Sequence, residues 1–218
     1  VPEFKTGGRY PGYDVLAKRT TLSWNSQTRR VIDERLGVGN EPKFFTAEEY
    51  ATVSAIADRL VPQPKDRPPI PVAALVDHKL ATGRSDGYRI AGMLRDKEAW
   101  RLGLKAIDTE ARQGHGAAFC ELDGSEQDRL LEHVQRGDLN DRAWEGMSPK
   151  NFFKFRLAHD VVMAYYSHPT SWNEIGWGGP ASPRGYVRMN FDKRDPWEAA
   201  EVKNGDVVAA RLINRDVG

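Results

Sequence analysis

Apolar residues recur at helical spacing through much of the central chain. Between Thr46 and Pro62, the positions Tyr50, Val53, Ala57, Leu60 and Val61 fall on one side of a helix, and Thr46 followed by Glu49 has the spacing of a reciprocal N-terminal cap. Pro62 and Pro64 stop that helix, and the proline-rich run to Pro71 predicts an extended linker. Val72 to Ala81 predicts a shorter helix ending at Gly83. From Tyr88 to Gln113, the residues Ile90, Met93, Trp100, Leu104, Ile107 and Ala111 keep to one face of a long helix closed by Gly114. Ser125 caps a further helix carrying Leu130, Leu131 and Val134 up to Gly137, and Ser148 with Pro149 opens one running to about His168. This last helix is apolar nearly all round, from Phe152, Phe153 and Phe155 to Val161, Val162, Met163, Tyr165 and Tyr166, the pattern of a central, enclosed helix.

The two ends of the chain have a different character. Gly7, Gly8, Pro11, Gly12, Gly37 and Gly39 interrupt the first 40 residues, so an extended arm is expected, with one helix from about Gln27 to Leu36 capped by Gly37. After His168, glycines and prolines alternate with Trp172, Trp177 and Tyr186 as far as Pro196 and Trp197, and no regular element fits. The Val-rich segment Glu201 to Ile213 reads as a short strand or an extended strap. The fold expected is an all-α, irregular helical domain spanning 1–218: an N-terminal arm over 1–43, a helical core over 44–168 and a Gly/Pro/aromatic-rich C-terminal arm over 169–218.

Composition narrows the function classes. The 32 basic and 31 acidic residues nearly cancel, so no net field favours nucleic acid or an anionic membrane surface as partner. The most apolar stretch, Phe152 to Tyr166, is broken by Lys154, Arg156, His159 and Asp160, and no membrane-spanning segment is expected. No cleavable leader is visible at Val1, and a processed leader is compatible with a first residue other than Met. The lone Cys120 cannot make an internal disulfide, a four-thiolate iron–sulfur site or a C-x-x-C-H haem attachment. It is either a buried thiol or, in an oxidising compartment, a bridge to another chain.

Motifs for chemistry are sparse. His78, His115, His133, His159 and His168 do not combine with carboxylates at the spacing of a helical metal site, so no metal ligands are expected. His159 and Asp160 are the best polar candidates, either as a satisfied core pair or as an acid–base pair. No G-x-S-x-G elbow occurs, and Gly176 to Gly179 lacks the Lys and Ser/Thr of a phosphate loop. No strand–G-x-G-x-x-G–helix unit is present either, so no catalytic or cofactor-binding residue is assigned to this chain. The unusual feature is aromatic: Trp172, Trp177 and Trp197 lie in irregular sequence together with Arg184, Tyr186 and Arg188, and the N-terminal arm carries Trp24, Arg29 and Arg30. Such residues either fold back on the chain's own helices or form a docking face for a partner.

Two of these segments carry a likeness. The run S-W-N-S-Q-T-R-R-V-I-D-E-R-L from Ser23 to Leu36 and the run S-W-N-E-I-G-W-G-G-P-A-S-P-R-G-Y-V-R from Ser171 to Arg188 resemble the small-subunit family of gluconate 2-dehydrogenase, subunit 3. F-F-T-A-E-E-Y from Phe44 and D-P-W at Asp195 to Trp197 agree in order and spacing. The resemblance implies a non-catalytic small subunit of a membrane-associated FAD-dependent dehydrogenase acting on gluconate, glucose, fructose or a similar polyol. It implies FAD on a large catalytic subunit, haem c on a multihaem cytochrome subunit, and no cofactor on this chain. It further implies a role in maturing, stabilising and exporting the flavoprotein by the twin-arginine route, hence a periplasmic location at the outer face of the cytoplasmic membrane. Trp24, Arg29, Trp172, Trp177, Arg184, Tyr186 and Trp197 are then expected to contact the flavoprotein, and Cys120 becomes a candidate for an intersubunit disulfide. The alternatives are a free-standing helical enzyme using His159 and Asp160, and a small-ligand-binding protein.

Overall fold

The structure, a computed structural model, describes residues 8–87, 89–139, 141–183, 185 and 193–217. The fold is all-α. Among the described residues every regular element is helical, and β pairing is confined to an isolated parallel bridge between Trp24 and Ser182. The helices are α1 (Ser26–Leu36), α2 (Ala47–Leu60), α3 (Val72–Ala81), α4 (Asp96–His115), α5 (Gly124–Arg136), α6 (Asp141–Trp144), α7 (Pro149–Phe152), α8 (Ala158–Ser167), α9 (Pro169–Ile175) and α10 (Val207–Asn214). Short 3-10 turns cover Val15–Thr20 and Phe119–Glu121, and a π-helical stretch, Phe153–Leu157, joins α7 to α8.

Local sequence explains most of these boundaries. Thr46 Oγ1 accepts from Glu49 N while Glu49 Oε2 accepts from Thr46 N, the reciprocal cap read from the sequence. Ser148 caps α7, with Pro149 in the first turn where a missing N–H costs nothing. The long helix begins at Asp96 rather than near Tyr88, because Gly87 and Gly92 take left-handed conformations (φ +77° and +78°) that a continuous helix cannot contain. Tyr88 itself lies outside the described residues. Two segments expected to lack helix possess it. His168 caps α9 through its ring nitrogen, with Pro169 following, and Asp206 caps α10 by accepting from Ala209 N. The Val-rich run is therefore a helix, not a strand or strap.

The chain divides into two compact units. The first comprises 1–37, 63–70 and 166–218, so the expected C-terminal arm and all but 38–43 of the N-terminal arm belong to a unit with its own core of Tyr13, Val15, Trp24, Ile32, Trp172 and Val217. Its N- and C-terminal segments are stitched together where Asn25 N donates to Ser182 O and Ser182 N to Ser23 O. The second unit comprises 38–62 and 71–165. There α2 packs on α3, α4 and α5, and α4 packs on α5, α6 and α7. Its centre is an aromatic chain in which Phe45 meets Trp100 edge-on, Trp100 meets Phe152, and Phe152 meets Trp144, with centroids 5.7, 5.9 and 5.8 Å apart. Burying side chains of this size contributes about 1.5–3 kcal/mol each. Gly103 gives the Phe152 ring its place on α4. Asp77, buried on α3, accepts from the backbone N–H groups of Lys43, Phe44 and Phe45 at 2.7 to 2.9 Å, which fixes the turn entering α2.

The apolar stretch after Pro149 is helical as expected but is not enclosed. Val162, Met163 and Tyr166 are exposed on α8, because the helix buries Val161, Ala164 and Tyr165 and leaves its other side outward.

Candidate functional site

A polar node in the second unit is centred on Asp160. Asp160 is 2% exposed, and its carboxylate accepts from Lys79 Nζ at 2.8 Å and from Trp100 Nε1 at 2.8 Å. His159 Nδ1 lies 3.2 Å from the same carboxylate, and Lys79 also donates to Asp86 at 2.9 Å. Arg156, buried in the π-helical stretch, reaches Asp86 at 3.1 Å and Asp96 at 2.9 Å. Burial pulls the Lys79 ammonium down, but its hydrogen bonds and charge contacts with Asp160 and Asp86 outweigh this and hold it above the ordinary lysine value. Burial pushes the Asp86 carboxyl up, and Lys79, Arg156 and His159 overcome it, leaving the group below its usual range.

Ligand atoms of Asp86, His159 and Asp160 lie within 4.8 Å of one another, close enough to consider a metal ion. The Lys79 ammonium, however, already sits against both carboxylates. A divalent ion would have to displace it, so the donor set fits an internal ion network better than a metal centre. As a general base, Asp160 is equally compromised, because its two oxygens are held by a lysine and an indole away from solvent.

The first unit carries a cleft of about 660 Å³. It is lined by Tyr10, Trp177 and Trp197 and by small residues, Ala199, Ala200 and, on α10, Ala209 and Ala210. The Gly176–Gly179 loop shapes it. Gly176 is left-handed (φ +67°), and a Cβ there would come 2.5 Å from the Tyr10 ring. Gly179 is also left-handed, against Trp172 and Val15. These glycines serve close packing, which accounts for their spacing without an anion.

α10 is built inside out. Its inner face presents Ala210 and Asn214, and Asn214, 2% exposed, accepts from Ala200 N while donating to Ala200 O and Pro11 O. Its outer face presents Val208 at 70% exposure and Leu212 at 56%, flanked by Val207 and Ile213. The helix is thus fastened by a polar clamp and offers its apolar side chains outward, the reverse of an ordinary surface helix.

The residues singled out from sequence separate into distinct groups. Trp24 and Trp172 are each 1% exposed, in the core of the first unit. Arg29 donates to the carbonyls of Trp24 and Arg19, tying down its own backbone. Trp177 stacks edge-on against Trp172 at 4.7 Å yet remains 40% exposed, and with Trp197 it lines the cleft. Arg184, Tyr186 and Arg188 lie outside the described residues. Cys120 is a free, partly exposed thiol in the 3-10 turn Phe119–Glu121. Sequence reading missed α10 as part of the site, although Asp206 at its start and the i, i+4 pair Ala210 and Asn214 were available signals. It also missed Lys79, Asp86 and Trp100 around Asp160, for which no local signal exists.

Among the described residues no helix is long and apolar enough to cross a membrane. A family model described as Gluconate 2-dehydrogenase subunit 3 matches residues 47–179. No curated protein and no solved structure matches the chain.

Proposed function

This chain belongs to the gluconate 2-dehydrogenase subunit 3 family, and from that premise we propose that it is the non-catalytic accessory subunit of a membrane-associated, FAD-dependent dehydrogenase of the gluconate, glucose or fructose type. It binds the flavoprotein subunit and assists its maturation, stability and twin-arginine export, and it works in the periplasm at the outer face of the cytoplasmic membrane. FAD belongs to the large subunit and haem c to a cytochrome subunit. The family match carries this reading. It is supported by the state of the polar pair with most catalytic promise, since Asp160 is committed to Lys79 and Trp100. In an oxidising compartment Cys120 bridges to the large subunit, a reading its partial exposure supports.

The test is affinity purification of the chain from its native host, with mass determination and an absorption spectrum of what accompanies it. Co-purification of a flavoprotein with sugar or sugar-acid dehydrogenase activity is expected, and a non-reducing gel should show Cys120 in a band at the summed mass. A colourless monomer with turnover of its own, abolished by His159→Ala, would replace this reading with the free-standing enzyme.

A further inference from the structure

The cleft of the first unit has an unbalanced rim. Each of three carboxylates that line it is engaged: Glu198 accepts from Asp195 N, Glu201 pairs with Arg9, and Asp206 caps α10. The amines are not. Lys193 and Lys203 line the same cleft, exposed, and among the described residues neither has a hydrogen bond or an ion pair. Arg211, on the exposed side of α10 beside Leu212, is likewise without a carboxylate. Trp177 and Ile213 of the cleft, and Val208 and Leu212 on the exposed side of α10, are thus accompanied by Lys193, Lys203 and Arg211, which have no carboxylate partner among the described residues.

Charge complementarity specifies the occupant. A lipid surface would match the cations, but the aromatic and alanine residues line a cleft, which a planar headgroup layer cannot fill and a protruding side chain can. A second copy of this chain would bring the same unpaired amines against themselves. What fits both features is a protein segment with bulky apolar side chains flanked by aspartate or glutamate. Resting on the accessory-subunit reading above, we infer that this cleft and the outer face of α10 receive an acidic, apolar segment of the dehydrogenase's catalytic subunit. Apolar anchors enter between Trp177 and Trp197, and the flanking carboxylates meet Lys193, Lys203 and Arg211. Trp177 and Trp197, rather than the buried Trp24 and Trp172, are the aromatic contacts.

The experiment is co-expression of the full chain with the catalytic subunit encoded in the same host, followed by capture on a tag carried by this chain. The measured quantity is the amount of catalytic subunit, identified by mass and dehydrogenase activity. Leu212→Asp with Val208→Asp, and separately Lys193→Glu with Lys203→Glu, should each reduce capture at least tenfold, with Lys105→Glu in the second unit as an unaffected control. Capture by the charge-reversed variant should also lose its dependence on salt. Should an aspartate variant fail to fold, a photo-crosslinking residue at the exposed Val208 decides, with adducts to the catalytic subunit expected. Adducts to lipid or to a second copy of this chain would overturn the inference. If the unaltered chain captures the catalytic subunit and all variants do so equally, the cleft is not the contact although the accessory role stands. If the unaltered chain captures none, the accessory role itself fails.

Discussion

Trp100 Nε1 donates to Asp160 Oδ2 at 2.8 Å inside the second unit, so an indole from the long helix α4 and a carboxylate from α8 satisfy one another in a buried setting. Lys79 holds the other oxygen. The stability of this arrangement depends on the negative charge, because both partners are donors.

Asp160→Asn tests that dependence. The amide has only one acceptor oxygen, and its NH₂ would face either the indole N–H or the ammonium. Urea unfolding followed by tryptophan fluorescence should show a loss of about 3–5 kcal/mol, the range for breaking one side of a buried ion pair. A loss below about 1 kcal/mol would mean the node is not structural. The pH window follows from the neighbours. Asp86, held below its ordinary range, contributes stability above pH ~4 that is lost as pH falls through its folded pKa. Lys79, held above its ordinary range, contributes stability below pH ~10.5 that is lost at higher pH. The node is intact across neutral pH.

Gly103→Ala tests the packing of Phe152. An added Cβ would lie 2.2 Å from the ring's Cζ, a distance no contact permits, and the Phe152 ring is fully buried between Trp100 and Trp144. Overpacking of this kind costs about 1–3 kcal/mol, against a helix-propensity gain of about 1 kcal/mol for replacing glycine. A net fall in melting temperature is expected, and a rise would show that the ring has room to move.

His168→Asn tests acid sensitivity in the first unit. Burial, and then the charges of Arg67 and Arg35, push the His168 imidazole down to about 4. The unfolded chain takes up this proton near pH 6.5 while the folded chain resists it, so the contribution is complete above pH ~6.5 and declines as pH falls towards 4. The decline amounts to about 1–2 kcal/mol after allowing for solvent screening. Asparagine keeps an acceptor for Thr170 N, the cap that starts α9, without titrating. Chemical denaturation at pH 7 and pH 4.5 should show a smaller difference between the two pH values for the variant than for the unaltered chain. Equal differences would remove His168 from the acid response.

The sequence by itself determined the bounds of several helices and to which family the chain belongs. Thr46 with Glu49, Ser148 with Pro149, and the exact bounds Val72–Ala81 are written in caps, prolines and a 3.6-residue period, all of which act within a few residues. It could not decide what each helix faces. A valine-rich stretch is helix or strand according to whether something holds it, and α10 is held by Asn214 reaching Ala200 and Pro11. The same limit applies to the tryptophans. Trp24 and Trp172 enter a core while Trp177, five residues on, stays at the surface, because left-handed Gly176 turns the chain after α9. Asp77 finds the amides of Lys43 to Phe45 only once α3 has packed. Tertiary structure alone chose these partners, because a buried polar group or ring is satisfied by whatever residue the fold brings near, at any distance along the chain.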